Sequence, residues 1–399
     1  MRVRSIGLYQ PAWAEGAQRQ HGHDEDVVTL AVAAGREAVG AIADTEVSRV
    51  IVVTPTPDVL EGFATAVVAA GIGLASGTPV ELRVGGPTAT LDALTASSSG
   101  TLIIGVDLGA TAGAGAAYVA AEGLAVEPCG SIDGSLPMRV RHLGASDTDV
   151  YDDARVERER GWVPALDALG VNADSAPLLI VGPQAKDAKR LKATGTAPTR
   201  GASAPLFALA DAEPGTRVLA LDAGAAVLVE VGDGAAEVSR EERPAQPVTG
   251  RPKHGADPVD IPFSLPAYDR AFEAKVRLLG GTCSCGTVDF PPRSYCSGCG
   301  QSGTQQLTDL PREGAVYTGV AVHVPVPGVP GPYAVAIVQL DGVAVRVLAH
   351  VTDTPAIDPP IDGRGRLVLR RVAVREGIPD YGYAWQPATD DAETLEVAR

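Results

Sequence analysis

The sequence predicts an α/β fold of two duplicated halves, followed by a short cysteine-rich segment and a small all-β domain. Three observations lead to this prediction. Residues 100–110 recur with related sequence at residues 215–225, the strand-like segments nearby are continuous apolar runs, and four of the five cysteines lie between residues 283 and 299. Together they divide the 399-residue chain into a duplicated α/β part and a smaller carboxyl-terminal part.

The repeat is clearest at two strand-like segments. Residues 100–110 read GTLIIGVDLGA and residues 215–225 read GTRVLALDAGA, with Gly, Thr, Asp, Gly and Ala at matching places. Upstream, Leu91 pairs with Leu206 at the same spacing, inside a helical pattern that leads into each strand. The sequence therefore predicts two copies of one unit of strands and helices.

The strands of both copies are expected to be buried on two faces, because they are continuous apolar runs without polar alternation. The stretch 26–43 places apolar side chains on one helical stripe, with Asp24 or Asp26 as the expected amino-terminal cap. After each long strand the chain continues into a second one. The main runs are VIVV at 50–53, TLIIGV at 101–106, LLIV at 178–181 and RVLAL at 217–221.

Two duplicated α/β halves, each ending in an antiparallel strand pair, resemble the thiolase superfamily. The closer resemblance is to bacterial and archaeal proteins similar to 3-hydroxy-3-methylglutaryl-CoA (HMG-CoA) synthase. It implies a layered αβαβα fold over residues 1–237 and an acyl-CoA thioester as substrate or ligand. The segments that carry it are VRSIGLYQP at 3–11, DEDVVTLAVAA at 24–34, VIVVTPTP at 50–57 and GTRVLALDAGAAVLVEV at 215–231.

The resemblance also implies a catalytic Cys, Glu and His, and none of these is found at the corresponding places. The segment for the nucleophile, residues 80–91, reads VELRVGGPTATL and contains no cysteine. Thr88 and Thr90 have no adjacent base in the sequence, so we expect a structural role for them. Residues 54–57 read TPTP where the Glu is expected, and Gln184 stands in the region of the His.

The catalytic residues are therefore unknown from the sequence, and it leaves open whether the chain is an enzyme. Cys129 follows the last strand of the first copy, away from the expected nucleophile position. A lone cysteine is more often a small packed residue than a reactive one, so we expect Cys129 to be packed.

A basic cluster is the one candidate binding site for CoA phosphates in the duplicated part. It consists of Lys186, Lys189, Arg190 and Lys192, in a window whose only acid is Asp187. Such a patch would locally reverse the repulsion of an acidic chain toward phosphate. The alternative is a solvated helix face with no ligand.

The carboxyl-terminal part begins with a linker at 238–264, rich in Pro and charge, and a helix plus ribbon at 265–305. Two pairs of cysteines separated by a short excursion are typical of a structural zinc site. The first pair has one intervening residue where two are usual, so a ribbon that folds without metal is the alternative. The predicted zinc ligands are Cys283, Cys285, Cys296 and Cys299.

Short strand-like runs at 306–386, broken by Gly, Pro and Asp, predict a small closed barrel, and an acidic tail follows at 387–399. With PPR at 291–293 and VYTG at 316–319, ribbon and barrel resemble the zinc-ribbon and OB-fold family that accompanies acyl-CoA thiolases, synthases and steroid side-chain aldolases. The resemblance implies association with acyl-CoA enzymes.

Together the two resemblances predict an acyl-CoA-handling protein of the HMG-CoA synthase and thiolase superfamily. It would take part in making or breaking a carbon–carbon bond, with a partner thiolase-type subunit. The alternative is a non-catalytic scaffold or CoA-channelling subunit of a thiolase or aldolase complex. A homodimer, or a complex with a thiolase- or aldolase-type protein, is expected by resemblance.

The charge balance restricts the other partners. With 33 Lys and Arg against 49 Asp and Glu, the chain has a net charge of −16. This acidity argues against nucleic acid and anionic membrane surfaces, which require a basic face. Because no apolar run reaches the roughly 18 residues of a membrane span and the amino terminus is polar, we expect a cytoplasmic protein.

Overall fold

The computed structural model places the helices and strands of most of the chain in two compact units. The first unit comprises residues 1–10, 33–65 and 77–241, and the second comprises residues 11–32, 66–76 and 242–399. The residues described are 1–42, 46–57, 64–109, 111–133, 139–140, 149–150, 163–171, 177–182, 193–222, 225–250, 264–324, 331–355 and 357–389, with 153, 155, 158, 159 and 262.

The described helices are α1 Val27–Gly40, α2 Thr65–Ile72, α3 Pro87–Thr95, α4 Val163–Ala168, α5 Ala204–Ala210 and α6 Leu265–Lys275. The first strands are β1 Arg2–Gln10, β2 Trp13–Glu15, β3 Gln18–Gln20, β4 Arg49–Thr54, β5 Val80–Val84, β6 Thr101–Asp107, β7 Gly113–Ala120, β8 Leu124–Ile132, β9 Arg139–Val140, β10 Asp149–Val150, β11 Leu178–Val181 and β12 Arg217–Asp222. The others are β13 Ala225–Val231, β14 Glu237–Glu242, β15 Gln246–Pro247, β16 Leu279–Cys283, β17 Val288–Asp289, β18 Gln305–Asp309, β19 Glu313–Val322, β20 Tyr333–Leu340, β21 Arg346–His350, β22 Arg364–Arg375 and β23 Ile378–Pro387.

One large sheet forms the first unit and carries the predicted duplication. Its strand order is β11-β12-β13-β8-β1-β7-β6-β4-β5, and β14 pairs with β1. In the first half β6 runs parallel to β4 and antiparallel to β7, and in the second half β12 runs parallel to β11 and antiparallel to β13. The two copies therefore have the same local topology, which confirms the predicted thiolase-like arrangement of duplicated α/β halves.

The contact between α1 and the large sheet shows how an interior rich in alanine packs closely. Ala34 and Ala38 are fully buried on α1, and a side chain at Gly7 of β1 would overlap the helix backbone there. Only glycine on the strand and small residues on the helix allow this approach. At the start of the helix, the Asp26 carboxylate accepts a hydrogen bond from the Thr29 N–H at 2.9 Å. Asp26 is therefore the cap.

The second unit contains the cysteine-rich ribbon and the carboxyl-terminal sheet. The ribbon is a small sheet of order β17-β16-β18, and the larger sheet has the order β21-β20-β19-β22-β23. A single bridge pairs Val351 with Trp385, at the far ends of this order. A closed barrel was predicted, but the described strands form a five-stranded OB-type sheet and do not show closure.

Within the described ranges, no helix is long and apolar enough to cross a bilayer.

Candidate functional site

The amino terminus of α3 is where the resemblance places a nucleophile. Gly86 precedes the helix and Pro87 begins it, so the turn is built for tight backbone geometry. Thr88 is buried, and the Thr90 hydroxyl donates a hydrogen bond to the Ala202 carbonyl at 2.7 Å. This hydrogen bond links α3 to the segment that precedes α5, which agrees with the structural role expected for Thr90.

An aspartate from the first half caps the helix of the second half. The Asp107 carboxylate, at the end of β6, accepts hydrogen bonds from the Ala202 N–H at 2.8 Å and from the Ser203 N–H at 2.9 Å. It also accepts one from the Ser203 hydroxyl at 2.6 Å. Burial raises the pKa of Asp107 to about 6, although these donors oppose the rise. The carboxylate thus satisfies the free N–H groups before α5.

The repeat places a second aspartate in the corresponding position. Asp222, at the end of β12, lies so close to Gly86 that a side chain there would overlap the Asp222 carboxylate. A side chain at Gly201 would overlap the Asp107 carboxylate in the same way. Each half therefore directs one aspartate to the helix start of the other half, and only glycine leaves room for it.

The Asp222 carboxylate beside Gly86 restricts the chemistry that is possible at the amino terminus of α3. A carboxylate complements the positive end of a helix, and a negative group already present there disfavours a thiolate or an oxyanion at the same place. None of the described residues 85–91 carries a thiol or an imidazole. The matching aspartates of the repeat were the sequence signal for this arrangement, but their long-range partners were not predicted.

Cys129 does not replace the missing nucleophile. It was expected to be packed, and this was wrong, because Cys129 is exposed on the part of β8 that extends beyond the buried residues 124–126. Partial burial, followed by the charge of Glu230, raises the pKa of its thiol. A raised pKa leaves less thiolate, which is the reactive form.

The basic cluster proposed for CoA phosphates lies outside the described residues. Lys186, Lys189, Arg190 and Lys192, together with Gln184, all fall within residues 183–192. Their role stays a prediction.

The four cysteines of the ribbon converge on one point. Their sulfur atoms all lie within 4.8 Å of one another. Cys283 and Cys299 have sulfurs 3.7 Å apart, and Cys285 and Cys296 have sulfurs 3.5 Å apart. Four ligands at about 2.3 Å from a tetrahedral zinc ion are about 3.8 Å apart, so this set fits zinc. The shortened first pair still brings both of its sulfurs into the group.

Backbone turns position the two pairs. The Gly286 N–H donates to the Cys283 carbonyl at 2.9 Å, and the Gly300 N–H donates to the Cys296 carbonyl at 2.9 Å. Both glycines have positive φ, 89° and 73°, which favours glycine at these places. The Cys285 N–H, followed by the Thr304 hydroxyl, lowers the pKa of Cys283 to about 6. This favours the thiolate at Cys283, whereas at Cys299 the Gln301 N–H is outweighed by burial and the neighbouring thiols, which raise its pKa to about 11.

A buried arginine forms the centre of a second polar group, within the second unit. Arg370 is 2% exposed, and its guanidinium lies 2.6 Å from Asp353 Oδ2 and 3.4 Å from Glu25 Oε1. The Gln386 amide also donates to Asp353 Oδ2, at 2.6 Å. Burial alone would raise the pKa of Asp353, but Arg370 and this amide lower it below its usual value. We call Asp24, Glu25, Asp26, Thr352, Asp353, Arg370, Tyr381 and Gln386 the buried arginine network.

The acidic segment before α1 completes the network. The Thr352 hydroxyl donates to Asp24 Oδ2 at 2.8 Å, and the Tyr381 hydroxyl donates to Asp26 Oδ2 at 2.9 Å. Asp24 was predicted as a possible helix cap, but its side chain binds Thr352 instead. Burial raises the pKa of Glu25 to about 7, although Arg370 opposes the rise. No pattern in the sequence predicts this network, because its members are distant in the chain.

The raised pKa of Glu25 predicts a pH-dependent stability. The pKa of Glu25 is higher in the folded state than in the unfolded state. Its contribution to the free energy of unfolding is therefore fully present below about pH 4.5 and is lost as the pH rises through about 7. We expect Glu25→Gln to remove this loss, which amounts to up to about 1.4 kcal/mol per pH unit. Urea unfolding of both proteins between pH 5 and 8 measures it. Asp107 titrates in both proteins and cancels in the difference, so parallel curves would contradict the prediction.

Comparison with known proteins assigns the carboxyl-terminal part. The family described as "ChsH2, rubredoxin-like zinc ribbon domain" matches residues 273–304, and the family described as "ChsH2, C-terminal OB-fold domain" matches residues 307–369. A DUF35 domain-containing scaffold protein of Pyrococcus furiosus is 32% identical over 130 residues, which are 32% of this chain and 94% of that protein.

The chain belongs to the DUF35 family. A second DUF35 domain-containing scaffold protein, from Methanocaldococcus jannaschii, is 32% identical over 123 residues, covering 30% of this chain and 86% of the relative. The family matches and the duplicated sheet confirm the predicted fusion of a thiolase-like part with a zinc ribbon and an OB-fold part. The DUF35 ribbon is thus a zinc ribbon with four cysteines.

Solved structures similar to this DUF35 protein include condensing enzymes and an aldolase. AbyA1, a tetronic acid condensing enzyme, is 18% identical with a TM-score of 0.42, covering 58% of this chain and 100% of that chain. The 3-oxoacyl-(acyl carrier protein) synthase III FabH of Pseudomonas aeruginosa is 18% identical with a TM-score of 0.43, covering 58% and 98%. The Ltp2-ChsH2(DUF35) aldolase is 23% identical with a TM-score of 0.24, covering 30% and 90%.

Proposed function

We propose that this DUF35 protein is the scaffold subunit of an acyl-CoA enzyme, paired with a thiolase-type partner that makes or breaks a carbon–carbon bond. The observation that carries the proposal is the start of α3, where the Asp222 carboxylate lies against Gly86 and no nucleophilic thiol is present in residues 85–91. The partner would supply the missing Cys, Glu and His. The scaffold relatives of the same family support this role.

A self-sufficient aldolase is the competing hypothesis, and it requires a general base. Asp107 is the acidic group of the first unit whose pKa is raised to about 6. However, its two oxygens hold Ala202 and Ser203, so it can reach a substrate only by giving up the cap of α5. This engagement favours the scaffold over the aldolase.

Two ligands belong to the proposal. Cys283, Cys285, Cys296 and Cys299 would hold one structural zinc ion, with a complete protein shell and no position left for substrate. Lys186, Lys189, Arg190 and Lys192 would bind the phosphates of CoA, since they provide local positive charge in a chain of net charge −16.

Turnover by the purified full-length chain tests the proposal. We expect no cleavage or condensation of acetyl-CoA, acetoacetyl-CoA or a β-hydroxyacyl-CoA by the chain alone, because α3 has no nucleophile at its start. Turnover is expected when the chain is co-expressed with the complete thiolase encoded nearest to its gene. Light scattering of the same samples reports whether the chain forms a homodimer or a mixed complex. Turnover by the chain alone that survives Cys129→Ala would contradict the scaffold.

Binding of acyl-CoA to the complex separates the role of the basic cluster from that of the scaffold. The double variant Lys189→Glu and Arg190→Glu is expected to weaken binding by about tenfold or more, because it places negative charge beside the phosphates. The double variant Arg155→Glu and Arg270→Glu has the same change of charge on exposed residues and is the control. Equal affinities of the two variants would remove the cluster from the proposal.

A further inference from the structure

The shortened cysteine pair of the ribbon has hydrogen-bonding partners that the second pair does not have. The Thr304 hydroxyl lies 3.1 Å from Cys283 Sγ, and the Thr287 hydroxyl lies 3.3 Å from Cys285 Sγ. In the second pair, the Gly298 N–H lies 3.4 Å from Cys296 Sγ. Side-chain hydroxyl groups therefore contact both sulfurs of the Cys-Ser-Cys pair, whereas the Cys296 sulfur accepts a hydrogen bond from a backbone N–H.

The ribbon fold holds both threonines in place. The Cys283 N–H donates to the Thr287 carbonyl at 2.8 Å, which ties Thr287 beside the first pair. Gly298 of the second pair faces the Thr287 side chain so closely that a Cβ there would overlap it. Thr304 is adjacent to Gln305, which pairs with Cys283 in the register of β16 and β18. The two hydroxyls are thus fixed by backbone pairing and packing.

Metal binding decides the direction of these hydrogen bonds. A zinc ligand is a thiolate, so each sulfur loses its proton and only accepts. The hydroxyls of Thr304 and Thr287 then donate to Cys283 and Cys285. Four thiolates around one divalent ion leave an excess of negative charge, and hydrogen bonds from outer groups stabilise it and orient the ligands.

We propose that Thr304 and Thr287 are positioning residues of the zinc site, whose hydroxyls stabilise and orient the sulfurs of the Cys-Ser-Cys pair. Backbone N–H groups reach the sulfurs of both pairs, from Cys285 to Cys283 and from Gly298 to Cys296, and the two hydroxyls are additional donors to the first pair. This inference rests on the proposed four-cysteine zinc site. It adds that retention of the metal depends on side chains outside the four ligands.

Chelator competition on the full-length protein tests the inference. We expect Thr304→Val and Thr287→Val each to raise the zinc dissociation constant by about 10-fold or more, the usual effect of removing an outer partner. Thr308→Val is the matched control, because Thr308 lies on β18 of the same ribbon and its hydroxyl pairs with Thr282. We expect the control to stay within about twofold of the wild type, and Thr304→Ser, which keeps the hydroxyl, to behave likewise.

A spectroscopic readout keeps the test independent of folding defects. In the cobalt-substituted protein, loss of a hydrogen bond to sulfur is expected to shift the sulfur-to-cobalt charge-transfer band of the Val variants to longer wavelength. Equal zinc affinity and an unchanged band in Thr304→Val, Thr287→Val and Thr308→Val would overturn the role of the threonines. A wild-type protein that binds no zinc would instead overturn the zinc site itself, so the two failures are distinct.

Discussion

Replacing Arg370 with methionine is expected to lower the free energy of unfolding of the second unit by about 3–5 kcal/mol. The side chain is 2% exposed and contacts the carboxylates of Asp353 and Glu25. Methionine fills a similar volume but leaves Asp353 as a buried charge without its cation. Urea unfolding followed by tryptophan fluorescence reports the change, because Trp13 and Trp385 are both buried in this unit.

Arg364→Met provides the matched control for this prediction. Arg364 lies on the same strand, β22, and pairs with Asp341, and these side chains are 55% and 43% exposed. A solvent-exposed pair contributes about 1 kcal/mol or less. Adding Asp353→Asn to Arg370→Met is expected to recover part of the lost stability, since it removes the unpaired charge. Equal effects of the Arg370 and Arg364 substitutions would show that the buried arginine network contributes little.

Loss of one ribbon cysteine is expected to abolish stoichiometric zinc binding. Freshly purified wild-type protein should contain about one zinc ion per chain, and Cys296→Ser should contain less than about a tenth of that, because three ligands hold a structural ion poorly. Hydrogen exchange should then become fast in residues 279–309, since the metal stabilises this small sheet. Metal analysis and exchange measured by mass spectrometry check the two expectations.

Cys129→Ser is the control for the zinc prediction, because Cys129 is a free, exposed cysteine on β8. It should retain full zinc content and slow exchange in the ribbon. A zinc content below about half an equivalent in the wild type would favour a ribbon that folds without metal.

The duplicated sheet and the ribbon could be predicted because their signals are local. Apolar runs such as residues 101–106 are buried along their whole length, and the spacing of Cys296 and Cys299 alone indicates a metal turn. Asp26 was predicted as one of two possible caps for the same reason, since its partner Thr29 is one helical turn away. In each of these patterns the interacting residues lie within a few positions of one another in the chain.

The remaining features depend on partners that no local pattern reveals. Tyr381 and Asp26 are 355 positions apart, and the Asp107 carboxylate caps a helix that begins 97 positions later, at Ala204. Cys129 was expected to be packed, but whether a strand end is covered depends on the elements around it. Arg370 was one of several arginines in the predicted barrel, and nothing in its sequence context marks it as the buried one.

The second unit combines segments of the chain that the ribosome makes at widely separated times. Glu25 and Asp26 are translated long before their partners Arg370 and Tyr381, since Asp26 and Tyr381 are 355 positions apart. The segment 11–32 therefore lacks these partners while the intervening residues are translated. Until β22 and β23 are made, the Glu25 carboxylate lacks the Arg370 guanidinium and the Asp26 carboxylate lacks the Tyr381 hydroxyl.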